Sequence, residues 1–158
     1  MEIVGHRHHP ARVGELGSPD DPTSILGVQL EYWRDALRGT PDLVELPTDR
    51  PWPARRSFAS RREDYTLDAE LVAAVRRLGA RRGASLFATL LGAFATLLSR
   101  LTGQGEVVVG IPAAGQSVDG HDHLVGHCVN LLPLKFQLAP EHSFNGVLDG
   151  AQTLLLDA

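Results

Sequence analysis

Five residues able to bind metal or move protons fall within eight positions: His121, Asp122, His123, His127 and Cys128. Imidazole and thiolate suit zinc, and closely spaced donors can converge on a tetrahedral ion. The spacing matches no established metal frame, and a polar loop leading into a buried strand accounts for it more simply. Cys128 next to His127 raises a nucleophile with its base. Neighbouring strand residues face opposite ways, however, so a buried cysteine acting as a small hydrophobe is the expected role. The run Gly110-Ile-Pro-Ala-Ala-Gly-Gln-Ser117 has the glycine spacing of a phosphate-binding loop. Gln116 stands where such a loop needs lysine, and Val118-Asp-Gly-His-Asp122 opens no helix to face a phosphate, so a strand-exit loop is expected. A second histidine group, His6, His8 and His9, lies in the amino-terminal lead. From residue chemistry alone, no position is assigned a catalytic, cofactor-binding or metal-ligating role.

The elements that would position these groups are legible in outline. Of 158 residues, 43% are hydrophobic and 22% charged, the balance of one folded domain. A single cysteine excludes an internal disulfide framework, and fifteen Lys/Arg against nineteen Asp/Glu, net −4, exclude the footprint of a general nucleic-acid binder. No secretory leader is visible at the amino terminus, which makes a cytoplasmic address the expectation. Residues 1–24, rich in His, Pro, Gly and Asp, read as a poorly ordered lead and 25–158 as the folded part. Leu30, Trp33 and Leu37 give a short helix over about 25–38 with Gly39 as its stop. Leu46-Pro-Thr-Asp-Arg-Pro-Trp-Pro53 is an extended surface connector. Phe58 to Leu67 alternates loosely, as a strand does. Asp68 caps a helix with Leu71, Val75 and Leu78 on its apolar stripe, arginines near its end and Gly83 closing it.

Ser85 opens the most apolar element, a helix to about Leu101. Arg82 and Arg100 bound an apolar run that is shorter than a membrane span needs and contains Ser and Thr, so a buried core helix is expected. Gly103 ends it. Glu106 to Ile111 is a buried strand stopped by Pro112, and Leu131 to Leu138 is a second strand. Phe144, Val147, Leu148, Ala151, Leu154 and Leu155 line a last helix that still runs, uncapped, at Ala158. The class is α/β or α+β, helices packed on a small mixed sheet.

Several ordered pieces are shared with one family. They are Tyr32-Trp33, Leu46-Pro-Thr-Asp-Arg-Pro51, Gly83-Ala-Ser-Leu-Phe-Ala-Thr-Leu-Leu91, Ser99-Arg-Leu-Thr-Gly-Gln104 leading into Val107-Val-Val-Gly-Ile-Pro112, and Val125-Gly-His-Cys-Val-Asn-Leu-Leu-Pro-Leu-Lys135. From Tyr32 onwards the chain resembles the condensation domain of nonribosomal peptide synthetases. The resemblance implies a chloramphenicol-acetyltransferase-like fold of two lobes around a tunnel, into which carrier proteins send phosphopantetheine arms. It implies amide formation between carrier-bound acyl and aminoacyl thioesters, with no cofactor bound directly. Carrier proteins and an adenylation domain would be the partners, with neither nucleic acid nor membrane.

The family's active-site motif is His-His-x-x-x-Asp-Gly, whose second histidine orients or deprotonates the attacking amine. Here His8-His9-Pro-Ala-Arg-Val-Gly14 has Val13 in place of the aspartate and lies too close to Tyr32-Trp33. His127-Cys128 likewise departs from the family's Gly-x-Phe-Val-Asn stretch, while Asn130 fits its asparagine. The expectation is therefore a half-domain, the opening part of the carboxy-terminal lobe, inactive alone. Two alternatives stand beside it: a docking protein that binds a partner lobe or carrier protein to complete a split enzyme, and a small metal-binding protein using the 121–128 histidines.

Overall fold

The computed structural model describes residues 16–41, 43–51, 53–55, 57–114 and 129–158. Among them, four helices and two strands follow one another: α1 (Ile25–Ala36), α2 (Ala69–Ala80), α3 (Leu86–Thr102), β1 (Glu106–Ala114), β2 (Val129–Gln137) and α4 (Phe144–Asp157). The chain divides into two compact units, one of residues 1–40 with 110–135, the other of 41–109 with 136–158.

In the first unit α1 is built onto a tight polar turn. Ser24 Oγ accepts from Gly27 N at 2.9 Å and donates to Ser18 O at 2.6 Å, satisfying one orphan donor of the first helical turn. Gly27 is buried under that turn, and a Cβ there would collide with Asp21 O. Asp21 in turn accepts from Thr23 Oγ1 at 2.7 Å and Thr23 N at 2.9 Å, which holds its carboxyl below the usual range. Tyr32 and Trp33 meet edge to face, ring centroids 5.1 Å apart. After α1, Gly39 takes the left-handed conformation expected of a helix stop, and Lys135 Nζ, on β2, donates to Arg38 O at 2.6 Å.

The second unit is a helical layer. Asp68 and Ser85 cap α2 and α3 through Leu71 N and Ala88 N, as the sequence requires. Gly103, at φ 71°, closes α3, and Ser143 caps α4 through Gly146 N. The buried face of α3 consists of small residues with one leucine: Ala88, Thr89, Leu91, Gly92 and Ala95. Packed on it from one side is α2, where Gly79 lets Thr89 Oγ1 occupy the space a Cβ would need. From the other side α4 brings Val147, Leu148 and Ala151 against Gly92.

The structure corrects three expectations. The described residues between 57 and 68 form no strand, and Phe58 and Tyr65 are 87% exposed. Alternation makes a strand only where a neighbour supplies hydrogen bonds, and the sheet among the described residues pairs β1 with β2. The segment is instead an extended run in which Arg61–Glu63 and Arg62–Asp64 pair at i, i+2 on the same side. Pro112 does not stop β1, which continues to Ala114. Among the described residues each strand of the sheet is paired on one side only, and on the other side a missing N–H costs no ladder bond. Nor is α3 buried all round, since its large side chains Phe87, Leu90, Phe94, Leu97 and Leu101 are about half exposed. Two helices cover the small-residue face and leave this one open.

The strands run antiparallel: Leu138 N donates to Gly105 O at 2.7 Å, while further along Gly110 lies against Leu131. Leu134, Phe136 and, just past the strand end, Leu138 are buried at period two, and Val107 is fully buried.

Candidate functional site

A connected set of side-chain hydrogen bonds surrounds the corner where α3 turns into β1. Ser99 Oγ donates to Gln104 O at 2.7 Å, Thr102 Oγ1 accepts from Gln104 N at 3.1 Å and donates to Leu98 O at 2.9 Å. These bonds fix the turn around Gly103 and aim the Gln104 amide outward. There it brackets the connector, accepting from Glu45 N at 3.1 Å and donating to Leu43 O at 3.0 Å. An amide is suited to this task because it offers one acceptor and one donor to a backbone that needs both. The Ser99-to-Gln104 stretch is thus a clamp holding an extended segment that belongs to no sheet.

A cavity of about 450 Å³ opens beside the same corner, lined by Ser99, Arg100, Gln104, Leu138, His142 and Val147 among others. His142 Nδ1 accepts from Ala139 N at 3.3 Å, which commits that nitrogen as an acceptor. A second hollow, about 510 Å³, lies along α1 and is lined by Pro19, Val28, Glu31 and Tyr32. Among the described residues, neither cavity brings together a nucleophile, a base and an oxyanion donor.

The charged contact spanning the greatest sequence distance among the described residues of the second unit is Arg82 with Asp149. Arg82 Nε donates to Asp149 Oδ1 at 3.1 Å and a second guanidinium nitrogen meets Oδ2, a two-pronged pair. The hydrogen bond holds the Asp149 carboxyl below its usual range and raises Arg82. Next to it Ser85 N donates to Gln152 Oε1 at 3.4 Å, so the α2–α3 turn is tied to α4 at two points.

The residues singled out for chemistry lie elsewhere. His6, His8, His9, the 121–128 group and the loop residues 115–117 fall outside the described residues, and Gly110 to Ala114 belong to β1. Among the described residues no three His, Cys, Asp or Glu side chains are grouped to hold a metal ion, and no helix is long and apolar enough to cross a membrane. Sequence reasoning marked Ser99-to-Gln104 as a shared piece but missed what Gln104 does.

A condensation-domain profile matches residues 26–158. The chain belongs to the condensation-domain family of nonribosomal peptide synthetase type. It is similar to a probable non-canonical nonribosomal peptide synthetase, CymA, of Salinispora arenicola: 42% identical over 143 residues, 90% of this chain and 2% of that protein. Phosphinothricin tripeptide synthetase PhsC of Streptomyces viridochromogenes is 38% identical over 84% of this chain and 12% of its own length. Malpinin synthetase of Mortierella alpina is 40% identical over 82% of this chain and 2% of its length. The chain therefore spans a small part of the curated relatives it matches.

Among solved structures, the SgcC5 protein of Streptomyces globisporus superposes with a TM-score of 0.67 at 29% identity, over 84% of this chain and 30% of that one. The first condensation domain of the calcium-dependent antibiotic synthetase, bound to a substrate analogue, gives 0.69 at 24% identity, over 82% and 30%. That likeness is one of fold. Helices packed with a small open sheet in an α+β arrangement are thus the condensation-domain fold, as the shared motifs imply.

Proposed function

We propose that these residues are a structural segment of the carboxy-terminal lobe of a condensation domain that joins two carrier-bound thioesters. In that reaction the amine of an acceptor aminoacyl thioester attacks the donor acyl carbonyl. A C–N bond forms, the C–S bond breaks, and the donor phosphopantetheine leaves as a thiol with the amine's proton going to it through the active-site base. The observation that carries the reading is the family match running without a break from 26 to 158. The contribution of this chain is architectural: α2, α3 and α4 form a layer, and the Gln104 clamp fixes the corner from which β1 departs. Donor and acceptor carrier proteins and an adenylation domain are the partners, and no cofactor is held by the segment itself.

Acting alone, the chain makes no amide on this reading. Support comes from its coverage of 30% of the SgcC5 chain and from Val13 standing where the family motif has aspartate. The reading is tested by exchanging residues 26–158 for the matching segment of the PhsC synthetase. The exchanged PhsC domain is expected to form its amide product, whereas deleting the segment abolishes it. An exchanged domain that folds but makes no amide counts against the assignment.

A further inference from the structure

The cavity of about 450 Å³ beside the corner between α3 and β1 has the size of a small-molecule site, and no step of the proposed reaction uses it. Its hydroxyls are spent: Thr96 Oγ1 donates to Gly92 O at 2.8 Å and Ser99 Oγ to Gln104 O at 2.7 Å, while the Gln104 amide is committed to the connector. Two side-chain donors are left. The Arg100 guanidinium lines the cavity and pairs with no carboxylate among the described residues. His142 Nδ1 accepts from Ala139 N, which places the imidazole proton on Nε2 as a donor. In a chain with nineteen Asp and Glu and a net charge of −4, no acid is among the described lining residues. The last turn of a helix favours a cation at position 100, but it does not require the acids next in sequence, Glu106 and Glu141, to stay off the lining. Leu138 and Val147, each 8% exposed, and Pro140 make the rest of the wall apolar.

We propose that this cavity binds a small amphipathic monocarboxylate, with the carboxylate on Arg100 and His142 and the hydrocarbon body against Leu138, Pro140 and Val147. A guanidinium forks onto a carboxylate through two parallel N–H bonds, and with no acid on the lining this one is not already neutralised. A bare inorganic anion would fill a small part of the volume and leave the apolar wall in water. An uncharged apolar molecule would cover that wall and leave the guanidinium unpaired. Because the hydroxyl protons and the Gln104 amide are engaged elsewhere, the side chains offer no second set of donors, and the ligand has a single charged head. Every residue invoked lies in the second unit, so the inference stands independently of the family reading.

The test titrates octanoate into the full 158-residue chain, followed by calorimetry and amide chemical shifts. Octanamide serves as the same body without the charge, and inorganic phosphate as a charge without the body. Octanoate is expected to saturate and to shift the amides of Gly103, Gly105, Ala139 and His142, with octanamide and phosphate each binding roughly tenfold or more weakly. Arg100→Gln is expected to weaken octanoate by a similar factor, and Arg100→Lys, which keeps the charge, by less. Arg77→Gln, at an exposed position of α2, is expected to leave binding unchanged. Equal binding of octanoate and octanamide, with shifts at Phe87 and Phe94, would place the hydrocarbon on the open face of α3 and overturn the proposal. Phosphate binding as tightly as octanoate would reduce the site to an adventitious anion contact and overturn it too. So would octanoate affinity that Arg100→Gln leaves unchanged, or no saturable binding below roughly 10 mM. The comparison of the three probes uses the parent chain alone, so it decides the matter even where a variant fails to fold.

Discussion

A methyl group at position 79 has nowhere to go. It would collide with Thr89 Oγ1 and stand 3.0 Å from Ala84 O, and the second of these is backbone that cannot rotate away. Gly79→Ala is therefore expected to destabilise the chain by about 1–3 kcal/mol in urea denaturation, despite the better helix propensity of alanine. Gly92 sits at an outwardly similar helix contact with the opposite result. Its added Cβ would be 3.4 Å or more from Val147, Ala151 and Leu148, ordinary contact. Gly92→Ala is expected to be neutral or to stabilise by up to about 1 kcal/mol. A loss at 92 as large as that at 79 would contradict the packing described for α3. At the clamp, Gln104→Ala removes both bonds to the connector, so the Glu45 amide should exchange with solvent markedly faster than in the parent, by hydrogen exchange, while α3 amides keep their protection. None of these three roles is visible locally in sequence. Glu45 and Leu43 lie 59 and 61 positions from Gln104, and a glycine inside a helix says nothing about which neighbour needs its missing side chain.

What a single element needs is more legible. Asp68 and Ser85 as caps, and Gly83 and Gly103 as stops, follow from chemistry between residues a few positions apart, and the structure has each of them. Ser85→Ala should accordingly cost about 1 kcal/mol, seen as a lower denaturation midpoint with an unchanged slope. Elements that depend on a neighbour are the ones misread. The 57–68 run alternates like a strand but has no strand beside it among the described residues, and β1 tolerates Pro112 because its pairing is one-sided. The tie between the α2–α3 turn and α4 gives a pH signature. Arg82 depresses the Asp149 carboxyl relative to the unfolded chain, so the pair's contribution is present above the unfolded carboxylate value of about 3.9 and fades as pH falls through the lower folded value. Asp149→Asn is expected to flatten that acid-side part of the stability profile. Both side chains are over 40% exposed, so solvent screens the pair and the change is small at neutral pH.

At the scale of the whole molecule, the apolar periodicity of α3 says that the helix wants burial but not what buries it. The sequence expectation of a core helix assumed that the partner surfaces were present. Two of them are, in α2 and α4, and the remaining stripe is open. The structural comparisons supply the missing scale: the matched segment is about a third of the solved condensation-domain chains. On the proposed reading the segment is architectural rather than a self-sufficient catalyst. The most direct test offers the purified chain a donor acyl thioester and an acceptor aminoacyl thioester on separate carrier proteins and follows the product by mass spectrometry. Amide should appear no faster than in the carrier-only control. Amide formation well above that control, and lost on His9→Ala, would contradict the architectural role.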